Sequence, residues 1–186
     1  STEARKVTNA RLSGVDAAMV NFVAQQRRLP CPANGTIAAG APTAGVEQRN
    51  PGNGTCLAAA IQNGVVPWVT LGLSEADASD GWNNRLTYRT ISATAGAGNV
   101  GFTSNQALDM TNCDPSGAAA MVTRTFAGQP VMSCVANAVG VCDLNAVATC
   151  TAPANFVLNR GVGVQDGLGN WLMDPAIGMG AAYVLI

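Results

Sequence analysis

Six cysteines and no histidine set the chemistry open to this 186-residue chain. Without histidine there is no Ser-His-Asp triad, no Cys-His pair and no imidazole metal site. Cys31, Cys56, Cys113, Cys134, Cys142 and Cys150 lack CxxC spacing, so zinc and thioredoxin-like chemistry have no foothold. Even in number and well spread, they point to three disulfides made in an oxidising compartment, with free buried thiols as the alternative. Fifteen pairings are open. The sequential one is the expectation: Cys31 with Cys56, Cys113 with Cys134, Cys142 with Cys150, each stabilising by roughly 3 kcal/mol.

Carboxylates are the other candidates. Asp77 with Asp80, or Asp109 with Asp114, would be the acid pair of a glycoside hydrolase; acids spread over surface turns are by default simply solvated. Asp77 and Asp80, or Asp166, Asn170 and Asp174, suit a hard cation such as calcium, but no full Asp-x-Asp-x-Asp pattern occurs. No other cofactor is expected. No glycine-rich loop leads into a lysine-bearing helix, and Lys6 is the sole lysine, so nucleotide chemistry is unsupported. The net charge of −1 leaves no footprint for nucleic acid. Trp68, Trp82 and Tyr88 could form a sugar-stacking platform, yet aromatics beside proline and a strand read first as core.

The element that must position these residues is the opening stretch. Val7, Leu12, Val15, Met19, Phe22 and Val23 recur at helical spacing, while Glu3, Arg5, Lys6, Arg11, Asp16 and Gln25 fall largely elsewhere. Ser1 or Thr2 can cap the start, with Glu3 near the positive end of the dipole. Arg27 and Arg28 are expected in the last turn, and Pro30 forbids continuation. Such a helix of roughly 27 residues is about 40 Å long. It suggests a spine carrying a head. Residues 1–28 hold Arg5, Lys6, Arg11, Arg27 and Arg28 against Glu3 and Asp16, a local charge of +3 that leaves −4 for the remainder. That basic helix could face anionic lipid or an acidic partner, or simply be a solvated face.

At 48% hydrophobic residues the chain can build one sizeable core. Only 11% are charged, and a surface of neutral polar residues fits a secreted or surface protein. No run of about 20 apolar residues occurs and no signal peptide is visible, so an export or anchoring segment is expected to lie outside this sequence. Residues 33–66 read as a long loop tethered by Cys31 and Cys56, with a turn cluster at 50–54. The apolar segment 64–73 is broken by Pro67 and followed by an acidic turn to Gly81. Residues 85–92 alternate as a half-buried strand, placing Arg85 and Arg89 on its solvent face. Residues 93–101 have linker composition, 118–122 suggest a helical turn, and 129–135 and 155–159 suggest strands. Residues 162–164 and 171–173 flank a turn at 166–170 as the clearest hairpin, and 181–186 make a last strand, ending so apolar that a trimmed C-terminus is expected. No internal repeat is evident.

Together, RLPCP (28–32), GVVPWVTLGL (64–73) and DASDGWNNRLTYR (77–89) resemble the type IV pilin-like proteins, including type II secretion pseudopilins. In that family a Pro-Trp…Leu-Gly-Leu…Asp-x-Trp-Gly-Asn-x-Leu-x-Tyr block links the spine helix to the first strands. Pro67, Trp68, Leu71, Gly72, Leu73, Asp80, Trp82, Asn84, Leu86 and Tyr88 match it, and 174–186 resembles the family's closing strand. Asn83 stands where the pattern has glycine, and asparagine tolerates the left-handed conformation. The likeness covers the first 92 and last 30 or so residues.

The resemblance implies an α+β fold, with a long N-terminal helix packed on an antiparallel sheet and disulfide-stapled loops. It implies one domain, 1–186: the C-terminal half of a spine helix (1–28), a loop region (29–84) and a sheet head (85–186). It further implies a structural, non-enzymatic subunit of a type IV pilus or type II secretion pseudopilus in a Gram-negative envelope. Such a subunit is anchored in the inner membrane by a preceding apolar half-helix, and its partners are copies of itself and other pilin-like subunits. Helix packing and head–head contacts would hold the filament, with Arg5, Lys6, Arg11, Arg85 and Arg89 as candidate subunit contacts. A minor pilin acting as tip adhesin is the alternative, marked by an apolar or aromatic patch at 93–150. A periplasmic carbohydrate hydrolase is the third reading.

Overall fold

The computed structural model describes residues 1–52, 54–92, 102–103, 108 and 161–186, together with the backbone of three strands within 121–141. Its first element, α1 (Thr2–Gln26), is one unbroken helix of 25 residues, about 38 Å long. The Ser1 hydroxyl accepts from the Ala4 N–H at 3.3 Å and so satisfies one orphan donor of the first turn. The C-terminal end differs from expectation. Arg27 takes the left-handed conformation (φ 53°, ψ 30°), and its N–H returns to the Val23 carbonyl, stopping the helix at Gln26, before Pro30 acts. The last helical turn therefore holds no cation, and Arg28 is buried beyond it.

The side of α1 predicted to be apolar is the side that is covered. Val15 and Met19 are fully buried, and Leu12 and Val23 pack against the same cluster with Leu29, Val66, Trp68, Leu86, Tyr88 and Phe102. Burying Val15 and Met19 contributes roughly 1.5–3 kcal/mol each.

The β-structure is antiparallel. β1 (Ala33–Asn34) pairs with β2 (Gly64–Val65). Val65 bridges to Thr87 beside β3 (Tyr88–Thr90), and β3 pairs with β9 (Tyr183–Leu185) in the register Tyr88–Leu185, Arg89–Val184, Thr90–Tyr183. Val162 bridges to Ala181, which ties in the hairpin of β7 (Val164–Gln165) and β8 (Trp171–Met173). A separate meander joins β4 (Met121–Phe126), β5 (Gln129–Ala136) and β6 (Gly140–Val141). The chain is thus a helix on small antiparallel sheets, an α+β arrangement.

Four expectations change. The stretch 33–66 is not featureless: β1, β2 and the short helix α2 (Ala58–Gln62) lie in it, so the sheet begins inside the region read as loop. Two-residue strands and a five-residue helix are too short to leave a periodic signal. Met121 and Val122, read as part of a helical turn, start β4; pairing with Ser133 and Cys134 overrides their local preference. Trp82 is not core but 54% exposed, because it sits at the tip of a turn. Arg85 is not on a free solvent face, as described below. The strand predicted at 155–159, the linker and Asp109 and Asp114 lie outside the described residues.

One expected disulfide is formed. Cys31 and Cys56 are bonded, with Cα atoms 5.4 Å apart, closing a separation of 25 residues under the helix exit. The other two pairings fall outside the described residues, apart from the backbone of Cys134 in β5.

Candidate functional site

Two junctions fix how α1 sits on the body. At its start, the turn at 79–84 docks on the first three helical turns. The Gly81 N–H donates to Thr8 Oγ1 at 2.9 Å, and Arg11 Nη1 donates to the carbonyls of Ser79 (3.2 Å) and Asp80 (2.7 Å). At its end, Arg28 makes a two-point ion pair with Glu47, Nη1 to Oε2 at 2.9 Å and Nη2 to Oε1 at 2.7 Å. Glu47 Oε2 also accepts from the Cys31 N–H at 2.9 Å. The fully buried Tyr88 donates its hydroxyl to the Pro30 carbonyl at 2.9 Å, and burial holds that phenol protonated well above its ordinary range. Burial, then the nearby Arg28 charge, lowers Arg49 to about 10.

The residues of the segments 67–73 and 80–88 divide by role. Trp68 is buried between Gly45 and the Arg85 guanidinium, which lies 4.9 Å from its ring centroid. Gly45 must be glycine: φ is +73°, and a Cβ would lie 2.2 Å from the indole. Arg85 also pairs with Glu75 and donates to the Gly35 and Ile37 carbonyls, so the structure engages it within the chain. Arg89 is likewise bonded to the carbonyls of Ile61 and Gln62. Arg11 is held as above, whereas Arg5 and Lys6 are exposed on α1.

The acidic candidates are used by their own turns. Asp80 Oδ1 accepts from the Trp82 and Asn84 N–H groups at 2.8 Å each, and Oδ2 from the Asn84 amide at 3.0 Å. Asp166 repeats the pattern with the Leu168 and Asn170 N–H groups at 2.8 and 2.9 Å and the Asn170 amide at 2.9 Å. Asn83 (φ 66°) and Gly169 (φ 84°) occupy the same left-handed step. So Asp-Gly-Trp-Asn-Asn and Asp-Gly-Leu-Gly-Asn are one turn built twice, each raising an exposed apolar side chain at its tip. The shared Asp-Gly-x-x-Asn spacing is the signal that could have disclosed it. Asp77 serves Ser74, and Asp174 caps the 3-10 turn Pro175–Ile177 through the Ala176 N–H. Asp166, Asn170 and Asp174 are thus placed in neighbouring turns. Among the described residues no three acids, cysteines or histidines gather as a metal cluster.

The Asn84 and Asn170 side-chain amides, then their backbone N–H groups, hold the Asp80 and Asp166 carboxyls below the usual carboxylate range. A lowered folded value means that each turn is supported at neutral pH. That support is lost as pH falls from about 3.9 through the folded value. In an NMR titration the amide shifts of Trp82 and Asn84, and those of Leu168 and Asn170, should follow their aspartate with a midpoint below the ordinary aspartate value of about 3.9. Midpoints above that value would contradict the turn geometry.

No family model, curated protein or solved structure matches the chain. The outward side of α1 therefore has to be read from its own residues. Exposed positions from Asn9 to the helix end are Asn9, Ala10, Ser13, Gly14, Asp16, Ala17, Val20, Asn21, Ala24, Gln25 and Gln26. Asp16 is their one ionisable side chain, and it accepts from the Tyr183 hydroxyl on β9. Beside this strip a groove of about 360 Å³ opens between Gly14, Ala17, Ala18 and Phe22 of α1 and Leu71 and Leu73 of the following turn. No described helix is long and apolar enough to cross a membrane.

Proposed function

We propose that this chain is a structural subunit of a thin helical filament of the pilin-like kind, in which the outward side of α1 receives neighbouring copies. The carrying observation is that strip. An isolated solvated helix face is ordinarily dense in Lys, Glu and Arg, whereas Ala10, Gly14, Ala17, Asn21 and Ala24 recur at spacings of four and three with no charge among them. Small side chains at that spacing let another backbone approach closely. The unbroken 25-residue helix and the hydrogen-bonded junctions at its two ends support the reading, because a spine must be attached to its head along its length. The likeness at 64–73 and 77–89 supports it independently. The envelope location and the anchoring role of a preceding apolar half-helix belong to the same reading.

The test is to load the strip without touching the core. In Ala10→Arg/Ala17→Arg/Ala24→Arg, circular dichroism and melting temperature should stay near wild type, while sedimentation and electron microscopy should show assembly weakened at least about tenfold, roughly 1.4 kcal/mol. Assembly equal to that of wild type would sink the proposal.

A further inference from the structure

The exit of α1 is held by a stretch of chain that has little to hold it in turn. Of the 24 residues between Cys31 and Cys56, thirteen are Gly, Ala or Pro, and Glu47 and Arg49 are the only charged ones. What the stretch places in the core is small: Ala33 and Ala44, with Ile37 and Ala41 partly buried beside them. Few buried apolar contacts make a segment that opens readily by itself. Yet it must deliver the Glu47 carboxylate to Arg28 and to the Cys31 N–H. Its register is set by the two cysteine segments together. The Gln48 N–H donates to the Pro32 carbonyl at 3.0 Å, and the Gln48 carbonyl accepts from the Leu57 N–H at 2.9 Å. Gln48, next to Glu47, is thus bonded to the residue after each cysteine, and the Cys31–Cys56 bond ties those two segments to each other.

We infer that the Cys31–Cys56 bond is a redox latch for the exit of α1: the Arg28–Glu47 junction closes firmly once the two thiols are oxidised and is loose before. With the thiols reduced, the open loop keeps its full freedom and Arg28 can reach water. Oxidation removes that freedom from the open state and so favours the closed one. The step balances against a disulfide oxidant such as glutathione disulfide. One cysteine thiolate attacks the oxidant and displaces one thiol; the second thiolate attacks the mixed disulfide and displaces the other. The chain loses two electrons and two protons, and the oxidant leaves as two thiols. Closure then protects the product. Cys31 is fully buried and Cys56 is 7% exposed, so a reductant must wait for the loop to open, which the bond itself makes rare. The junction at the start of α1, where Thr8 and Arg11 meet the 79–84 turn, contains no residue of this loop. The latch therefore acts on one end of the helix, and it stands whether or not copies of the chain assemble.

Two measurements on the full chain test it. In Cys31→Ala/Cys56→Ala, hydrogen exchange at the amides of position 31, Gln48 and Leu57 should quicken about thirtyfold or more. The Gly81 amide, at the other junction, should change less than about threefold. Linkage gives the reverse experiment, because what the bond does for the junction the junction does for the bond. The chain is equilibrated with reduced and oxidised glutathione and read by alkylation and peptide mass. Glu47→Ala should move Cys31 and Cys56 toward the dithiol at least about tenfold. Glu47→Gln should move them less, in the same direction, and Asp166→Asn on the β7–β8 turn should leave them in place. Unchanged exchange at the three amides, or a glutathione equilibrium indifferent to Glu47, would overturn the latch. So would a double variant that unfolds throughout, or one whose exchange rises equally at both junctions, since the bond would then be a staple for the whole body.

Discussion

Replacing Glu47 with alanine is expected to lower stability by about 4 kcal/mol and the melting temperature by on the order of 10 °C. The carboxylate is acceptor to both Arg28 Nη atoms and to the Cys31 N–H. Arg28 is 9% exposed and Cys31 fully buried, so deletion strands a cation and an amide away from water. Arg28 Nη1 keeps only the Leu29 carbonyl at 3.2 Å, and its guanidinium remains over the Phe22 ring at 5.0 Å. The cost is therefore mostly an unpaired buried charge. Glu47→Gln should lose less, since the amide oxygen still accepts. The double change Arg28→Met/Glu47→Leu should recover most of the loss, as replacing both members of a buried pair often does. Urea unfolding with the disulfide intact distinguishes these cases. A Glu47→Ala loss under about 1 kcal/mol would mean that the helix exit is not pinned here.

That junction is also the part of the spine that its residue types do not disclose. The spine was legible because Leu12, Val15, Met19 and Val23 repeat at helical spacing over about three turns, and tertiary packing uses that same side. Its stop was misplaced because Arg27 bends the chain through a left-handed step, a conformation that its residue type does not announce. The strand at Tyr88 and the 164–173 hairpin were readable from alternation and an Asp-Gly turn. Arg28 and Arg85 were not. A cation near a helix end or on an alternating face looks solvated until distant residues, Glu47 for one and Glu75 with Trp68 for the other, fold over it. The Asp-Gly-x-x-Asn turn was present twice in the letters but hidden by its differing third and fourth residues. Its hydrogen bonds, which involve only the aspartate and asparagine, reveal it.

The recurrence of that turn supplies its own control, and this gives the second large effect. Gly81→Ala should destabilise by about 3 kcal/mol, whereas Gly167→Ala, at the same position of the other turn, should change stability by less than about 0.5 kcal/mol. A Cβ on Gly81 would lie 2.2 Å from the Ala4 carbonyl oxygen and 2.7 Å from Ala4 C and Cα; on Gly167 it would meet nothing within 4 Å. Neither glycine has a positive φ, so conformational freedom is not what separates them. What separates them is the helix. The obstacle at Gly81 is backbone, which cannot rotate aside, so the turn must lift by about 1 Å to reach ordinary contact. Lifting it would weaken the Gly81–Thr8 bond and both Arg11 bonds together, because all three cross the same interface. Hydrogen exchange should then show faster opening of amides in the first turns of α1, with β7 and β8 unaffected. Equal behaviour of the two alanine variants would mean that the spine is not seated on the 79–84 turn, and the rigid link between helix and head would have to lie at the Arg28–Glu47 end alone.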